Sequence, residues 1–155
     1  MQHEPIDAVD HQILTMLTDD GRASHASIAE AVGIDESEVT ERVLALEEAG
    51  IITKYAALID PMKLGYISVA FGIRTDPNKT DAIAAKLKAH PSVYKIWILS
   101  GKHNVVVHAN FRDIAGFQAF SNETLHHIDG IVEYESSIAT QQVISEGARV
   151  LDGDR

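Results

Sequence analysis

Residues 21–55 read GRASHASIAEAVGIDESEVTERVLALEEAGIITKY, and this stretch decides the fold of the N-terminal part of the chain. Ser24 is a good N-cap for a short helix, and Gly33 suits the left-handed conformation of a tight turn. Asp35 is placed to cap a second helix, with Glu38 three residues later to complete a capping box. Two helices joined by a glycine turn predict a helix-turn-helix, a unit that presents a helix to the DNA major groove.

Apolar residues repeat at helical spacing in and before this stretch. They predict three helices, over residues 7–19, over residues 25–31, and from Asp35 to the glycine at position 50. A small helical bundle without a nucleic acid role stays open as an alternative. The residues predicted to be buried are Ile13, Leu14, Leu17, Ile28, Ala29, Val39, Val43 and Leu46.

The composition limits the class of protein. A chain of 155 residues holds one large or two small domains, and 45% hydrophobic residues suffice for a packed core. Cysteine is absent, which excludes disulfides and cysteine-bound metals and fits an intracellular protein. Because no apolar run approaches the roughly 18 residues of a membrane span and no signal pattern is visible, we expect a soluble, cytoplasmic protein without membrane contact.

Charge is distributed unevenly. Residues 1–54 hold twelve acids and three bases, a net charge of −9, whereas residues 55–155 hold eleven acids and ten bases, a net charge of −1. DNA affinity ordinarily comes from Lys and Arg on phosphates, and the candidate DNA-binding half has few. Three explanations stand: a salt-rich cytoplasm that screens the acids, a protein-interaction role, or acids that merely suit helix dipoles and solubility. We take the first as the working interpretation.

The second half alternates between strands and helices in the order βαββαβ. A four-stranded antiparallel sheet with helices on one face, the ferredoxin-like arrangement, is the expected fold. The other face would be bare, and a second copy of the chain is its simplest cover, so we expect a homodimer. The predicted strands are 66–75, 93–99, 104–111 and 131–140, with a helix over 79–89 and a further extended stretch over 52–59.

Two features of this half bear on the site. Residues 100–103 (Ser-Gly-Lys-His) form the turn of a predicted hairpin. Asp113 is predicted to cap a helix whose apolar residues point inward. Those apolar residues are Ile114, Phe117, Phe120 and Leu125.

The ordered set of motifs resembles the leucine-responsive/asparagine-regulator (Lrp/AsnC) family of transcription regulators over residues 6–143. The resemblance implies an α+β protein: a winged-helix-like DNA-binding domain at 1–54, a linker strand at 55–65, a ferredoxin-like effector-binding and dimerisation domain at 66–143 and a tail at 144–155. The matching residues include Asp20-Gly21-Arg22, Val32-Gly33-Ile34, Gly50-Ile51-Ile52, Leu64-Gly65, Ser100-Gly101, Asn104, Asp113 and Gly130-Ile131.

The family implies a DNA-binding regulator gated by an amino acid or related metabolite, acting as a homodimer or as a ring of dimers such as an octamer. Double-stranded DNA would be read from the start of the second helix of the motif, and a salt-adapted archaeal source would explain the acidic surface. Arg42 has two interpretations, a phosphate contact and a salt bridge to Glu38 at i,i+4. The candidate DNA-binding residues are Ser24, His25, Ser37, Glu38, Thr40, Glu41 and Arg42.

The effector would bind near the hairpin turn, where Gly101 allows backbone N–H groups to approach an anion. The family commonly has an aspartate where this chain has Asn104, so a ligand more anionic than an amino acid is an alternative. A plain hairpin turn, and plain core for Ile114 and Ile138, are the competing interpretations. The candidate effector-binding residues are Ser100, Gly101, Lys102, His103, Asn104, Ile114, Ser137, Ile138 and Ala139.

Other chemistries have weak support. Eight histidines are present, but no spacing matches a zinc signature, and no catalytic constellation or cofactor motif is visible. Two alternatives remain: a metabolite-sensing interaction protein that binds no DNA, and a siroheme decarboxylase-like enzyme, suggested by the faint resemblance of Asn104–His108 (NVVVH) to that family. We expect a regulator, no enzyme, and no metal or cofactor.

Overall fold

The computed structural model describes residues 6–141, which form two compact units divided between residues 58 and 59. We call residues 6–58 the N-terminal unit and residues 59–141 the C-terminal unit. The division falls inside the predicted linker 55–65, and the predicted tail at 144–155 lies outside the described residues. None of the helices within residues 6–141 combines the length and the apolar character that a membrane span requires.

The N-terminal unit consists of three helices, α1 (Ala8–Asp19), α2 (His25–Val32) and α3 (Glu36–Glu48). Local chemistry sets their ends. Ser24 caps α2 by accepting a hydrogen bond from the Ser27 backbone N–H, and Gly33 ends it with a φ of 83°. The predicted helix-turn-helix is therefore present between α2 and α3.

The core of this unit forms where the three apolar stripes meet. Ile13, Ile28 and Val39 are fully buried, one from each helix, and Val43 is almost so. Leu17 is half-buried beside them. The predicted stripe on α3 is confirmed, since Val39, Val43 and Leu46 are its buried residues.

The capping box predicted for α3 is wrong. Asp35 occupies the N-cap position, but its side chain makes no capping hydrogen bond. Glu38 bonds instead to the Arg42 guanidinium, a charge-assisted contact stronger than one to a neutral backbone N–H. The capping box lies on α1, where the side chains of Asp7 and Asp10 each accept from the other's backbone N–H.

The C-terminal unit has the βαββαβ order and a single antiparallel sheet in the order β2-β3-β1-β4. One face of the sheet is covered by helices, and its core includes Phe71, Val107 and Leu87, all fully buried. The fold prediction is confirmed. The elements are a 3₁₀ helix Met62–Leu64, β1 (Ile67–Thr75), α4 (Thr80–Lys88), β2 (Val93–Ile98), β3 (Val105–Phe111), α5 (Ile114–Ala119), a π-helical turn Phe120–Thr124, a 3₁₀ helix Leu125–His127 and β4 (Ile131–Ile138).

Strict alternation along the two central strands separates the two faces of the sheet. From Ser68 to Ile73 on β1 and along all of β3, side chains are alternately half-buried and buried. The half-buried set, with the neighbouring Trp97, forms the face without helices, which we call the open face. Its members are Ser68, Ala70, Gly72, Trp97, Val106, His108 and Asn110.

Two further expectations fail. The helix after Asp113 is not continuous but changes to a π-turn at Phe120, and Ile114, expected to point inward, is 48% exposed on its first turn. Residues 52–59, expected to be a strand, form none with any described segment of the chain. A strand needs a partner for its backbone ladder, and the described part of one chain does not supply it.

Candidate DNA-reading surface and effector site

The exposed start of α3 carries three of the predicted DNA-reading residues. Ser37, Thr40 and Glu41 are all exposed in the first turns of the helix. Thr40 and Glu41 lie three and four residues after Ser37, so the three side chains share one side of the helix. Ser24 caps α2, and its hydroxyl also lies 3.2 Å from the Ser27 hydroxyl, so its role in the described structure is that of an ordinary cap.

His25 joins the two helices of the motif. Its Nδ1 lies 2.8 Å from the Thr40 hydroxyl, a contact between residues fifteen positions apart. The Thr40 hydroxyl in turn donates to the Glu36 carbonyl oxygen at 2.9 Å. Two of the sequence-predicted residues are therefore in direct contact, and the position of Thr40 on the exposed face depends on both bonds.

Arg42 belongs to an ion-pair network within the unit. Its Nη1 lies 2.8 Å from Asp7 and 3.0 Å from Asp10, and its Nε lies 2.9 Å from Glu38. These carboxylates raise the pKa of Arg42 further above its ordinary value, with Asp7 the largest cause. The pKa of Asp7 is lowered, chiefly by the hydrogen bond from the Asp10 N–H and then by Arg42. Of the two interpretations of Arg42, the structure shows the salt bridge.

The groove beside Arg42 is acidic. It has a volume of about 750 Å³ and runs between the start of α1 and the outer side of α3. Arg42 is the only basic residue among those that line it, so the groove offers phosphate a poor surface. The acidic residues that line it are Asp7, Asp10, Asp35, Glu38 and Glu41.

In the C-terminal unit, the hairpin turn exposes Ser100, Gly101 and Lys102. Gly101 has a φ of 149°, a conformation that residues with a side chain rarely adopt, and open space lies where its Cβ would be. Lys102 donates to Glu135 on β4 at 3.2 Å. The turn therefore presents backbone and one cation to solvent, as a site for a small anionic group requires.

His103 lies over Gly72 on the open face. A Cβ at Gly72 would come within 2.8 Å of the His103 Nδ1, so only glycine leaves room for the ring there. The His103 Nε2 lies 3.8 Å from Glu135. The sequence did not reveal this close approach, although a glycine inside a strand is the kind of signal that indicates one.

Asn104 is occupied within the chain. Its Oδ1 accepts from the Thr75 N–H at 2.8 Å, and its Nδ2 donates to the hydroxyls of Thr75 at 2.9 Å and Thr80 at 3.2 Å. The two hydroxyls also bond to each other at 2.8 Å. Because its hydrogen-bonding groups are used here, Asn104 fixes the end of the sheet, and the prediction that its side chain binds the effector does not fit this arrangement.

The remaining candidates lie at the surface. Ile114 and Ile138 are 48% and 45% exposed, so their interpretation as plain core is wrong. Ser137 and Ala139 are exposed on and after the end of β4. Over the described residues 6–141, no three His, Cys, Asp or Glu side chains are grouped to hold a metal ion.

The comparisons with known proteins agree with this architecture. Residues 6–53 match the winged helix-turn-helix DNA-binding family, and residues 68–149 match the Lrp/AsnC ligand-binding domain. The chain belongs to the Lrp/AsnC family.

Relatives in this family are named as transcription regulators, not enzymes. The chain is 36% identical over 136 residues to an uncharacterised helix-turn-helix-type transcriptional regulator of Pyrococcus horikoshii, covering 87% of this chain and 86% of the relative. It is 34% identical over 142 residues to the leucine-responsive regulatory protein of Rhizobium meliloti, covering 89% and 91%. A transcriptional regulator of Neisseria meningitidis, solved in complex with L-Met, is similar with a TM-score of 0.76, 27% identity and coverage of 90% and 93%.

Proposed function

We propose that this Lrp/AsnC protein is a homodimeric, sequence-specific regulator that reads DNA with the start of α3 and is gated by a small metabolite bound near the hairpin turn. The observation that carries the DNA-reading part is the exposure of Ser37, Thr40 and Glu41 on a helix that follows the short turn at Gly33. Chromosomal DNA as partner goes with a cytoplasmic location, which belongs to the same proposal.

Phosphate contacts contribute little to this DNA binding. Arg42 is held by three carboxylates, and residues 1–54 carry a net charge of −9. Few cations are then available to release counterions, and affinity should fall little, or even rise, as salt increases. A regulator with many phosphate contacts instead loses roughly a thousandfold or more between about 50 and 200 mM salt.

The test measures affinity against salt for duplexes selected from a randomised DNA library. Glu36→Lys and Glu41→Lys should strengthen binding at low salt and make the slope more negative. Glu48→Lys is the matched control, since it adds the same charge at the exposed far end of α3. A steep negative slope in the wild type would overturn the salt-adapted interpretation. Failure of every duplex to bind, up to molar salt, would favour the interaction protein.

The metabolite site of the proposal is the turn at Gly101 and Lys102. The exposed Ile114, Ser137, Ile138 and Ala139 lie toward the other end of the sheet, where β1 begins and β3 ends, so they complete the site only when another copy of the chain brings them to the turn. The exposed turn supports it, because a carboxylate can approach the backbone there and compete with Glu135 for the Lys102 cation. L-methionine is the first probe, since the Neisseria relative was solved with L-Met. L-glutamate tests whether a second negative charge is preferred. Lys102→Gln should weaken the response to L-glutamate more than the response to L-methionine, as seen by calorimetry.

The dimer of the proposal forms over the open face. That face carries Trp97, 51% exposed, beside Val106, and the helices of the C-terminal unit lie on the opposite side of the sheet. A large apolar side chain exposed on an otherwise uncovered sheet indicates a partner surface. Rings of dimers, up to an octamer, are the higher assembly we propose, and light scattering at micromolar concentration tests both states.

A further inference from the structure

The Thr40 hydroxyl has no hydrogen left for a base. Its oxygen lies 2.9 Å from the Glu36 carbonyl oxygen and 2.8 Å from the His25 Nδ1. A hydroxyl carries one proton, and the carbonyl can only accept, so both contacts are satisfied only when the His25 ring carries its hydrogen on Nδ1 and donates it. Thr40 then offers outward its methyl group and one remaining lone pair.

We propose that Thr40 reads DNA through its methyl group and not as a hydroxyl donor, and that His25 is the positioning residue that keeps it so. This inference rests on the proposed DNA-reading function. In the major groove guanine shows only the acceptors N7 and O6, which Thr40 cannot serve without a donor. Both kinds of base pair offer an amino donor to the lone pair, on adenine or on cytosine, but only an A·T pair also shows the thymine methyl, which the Thr40 methyl can contact. Thr40 thus favours A·T at the base pair it faces.

Ser37 provides an internal contrast on the same helix. It is exposed, and its hydroxyl makes no hydrogen bond among the described residues 6–141. Ser37 can therefore donate to a base, whereas Thr40 cannot. The two hydroxyl residues of the reading helix differ in what they can recognise, and the difference comes from His25 lying fifteen residues away in the sequence.

The first experiment replaces thymine by deoxyuridine, which lacks only the methyl group. Duplexes are selected from a randomised library with the full-length protein at molar KCl, and each thymine is then replaced in turn. At one position in each half-site, uracil should weaken the wild type about fourfold, which corresponds to about 0.8 kcal/mol for one methylene-sized apolar contact. Thr40→Ser should lose this sensitivity, and Thr40→Val, which keeps the methyl group, should retain it. Ser37→Ala, the control, should retain it as well.

The second experiment tests His25 directly. Nitrogen-15 NMR of the imidazole in the DNA-free protein should show the hydrogen on Nδ1. His25→Asn places an amide donor near the position of Nδ1 and should keep the discrimination between thymine and uracil. His25→Ala should reduce it, because Thr40 is then held by the Glu36 carbonyl alone.

Three results would overturn the inference: a ring hydrogen on Nε2, equal binding of thymine and uracil duplexes by a wild type that binds DNA, or undiminished sensitivity in Thr40→Ser. Failure to select any duplex would overturn the DNA-reading function, and this inference with it. Failure of this inference alone and failure of the DNA-reading function are distinguishable, because DNA binding stays intact only in the former case.

Discussion

The two units hold their polar networks in different places. In the N-terminal unit the network around Arg42 is at the surface, and Asp7 and Glu38 are each about half exposed. In the C-terminal unit the network of Asn104 joins Thr75 and Thr80, which are only 3% and 8% exposed. In each unit, a residue that the family resemblance assigned to DNA or to the metabolite, Arg42 or Asn104, instead bonds to other residues of its own unit. The exposed residues of that unit remain available to bind DNA or the metabolite.

The largest expected effect is on assembly. Trp97→Glu places a charge on the open face and should raise the dimer dissociation constant roughly 30- to 700-fold, as loss of an aromatic anchor worth about 2–4 kcal/mol does. Ile98→Glu is the matched control, because Ile98 is the next residue, is equally exposed, and pairs with the buried Val105 on the helix-covered side. Sedimentation velocity measures both. Equal dissociation in the two variants would show that the dimer, if formed, does not use the open face.

The next effect distinguishes the buried network from a ligand site. Asn104→Ala leaves the Thr75 N–H and the two threonine hydroxyls short of partners and should reduce the free energy of unfolding of the C-terminal unit by about 1–3 kcal/mol. Lys102→Ala, on the same hairpin but exposed, should change it little. Urea unfolding gives both values. Unchanged stability in Asn104→Ala together with a lost metabolite response would restore the effector role of Asn104.

The surface network should contribute less. Arg42→Gln removes the common partner of Asp7, Asp10 and Glu38 and should lower the unfolding free energy of the N-terminal unit by roughly 1 kcal/mol, since solvent screens exposed pairs. Arg22→Gln is the control: it makes the same change of charge at an exposed arginine whose side chain bonds to no described residue. If Arg42→Gln instead leaves stability unchanged and weakens DNA binding by tenfold or more, the guanidinium contacts phosphate after all.

How far the sequence predicts this molecule depends on the distance between the interacting residues. The helix ends at Ser24 and Gly33 follow from neighbours within four positions, and the sheet follows from alternation. The bonds of Arg42 to Asp7 and of Asn104 to Thr75 connect residues 35 and 29 positions apart, and spacing alone does not reveal them. The exposure of Ile114 was missed because the sequence pattern is the same in two cases. An apolar residue just after a helix cap is expected both where the side chain is buried in the core and where it faces a partner.

The smallest expected effect is on the pH dependence of stability, through His108 on the open face. Burial, and secondly the positive charge of Lys95, lower the pKa of His108, whose ring also lies 6.1 Å from the Tyr94 ring. The unfolded chain therefore takes up a proton at His108 at a higher pH than the folded chain does.

The direction in which stability changes with pH follows from that difference in pKa. Above pH 6.5, the ordinary value for histidine, His108 leaves the balance between folded and unfolded chains unchanged. As the pH falls below this value, protonation stabilises the unfolded chain first, and stability is lost until the folded ring also titrates. Urea unfolding between about pH 7.5 and 5.5 should show this loss in the wild type and a smaller one in His108→Gln. Lys95→Gln removes only the lesser cause of the lowered pKa, so its loss of stability should lie between those of the wild type and His108→Gln. Parallel profiles for all three proteins would mean that His108 titrates alike in the folded and unfolded chains, and that the open face does not bury the ring.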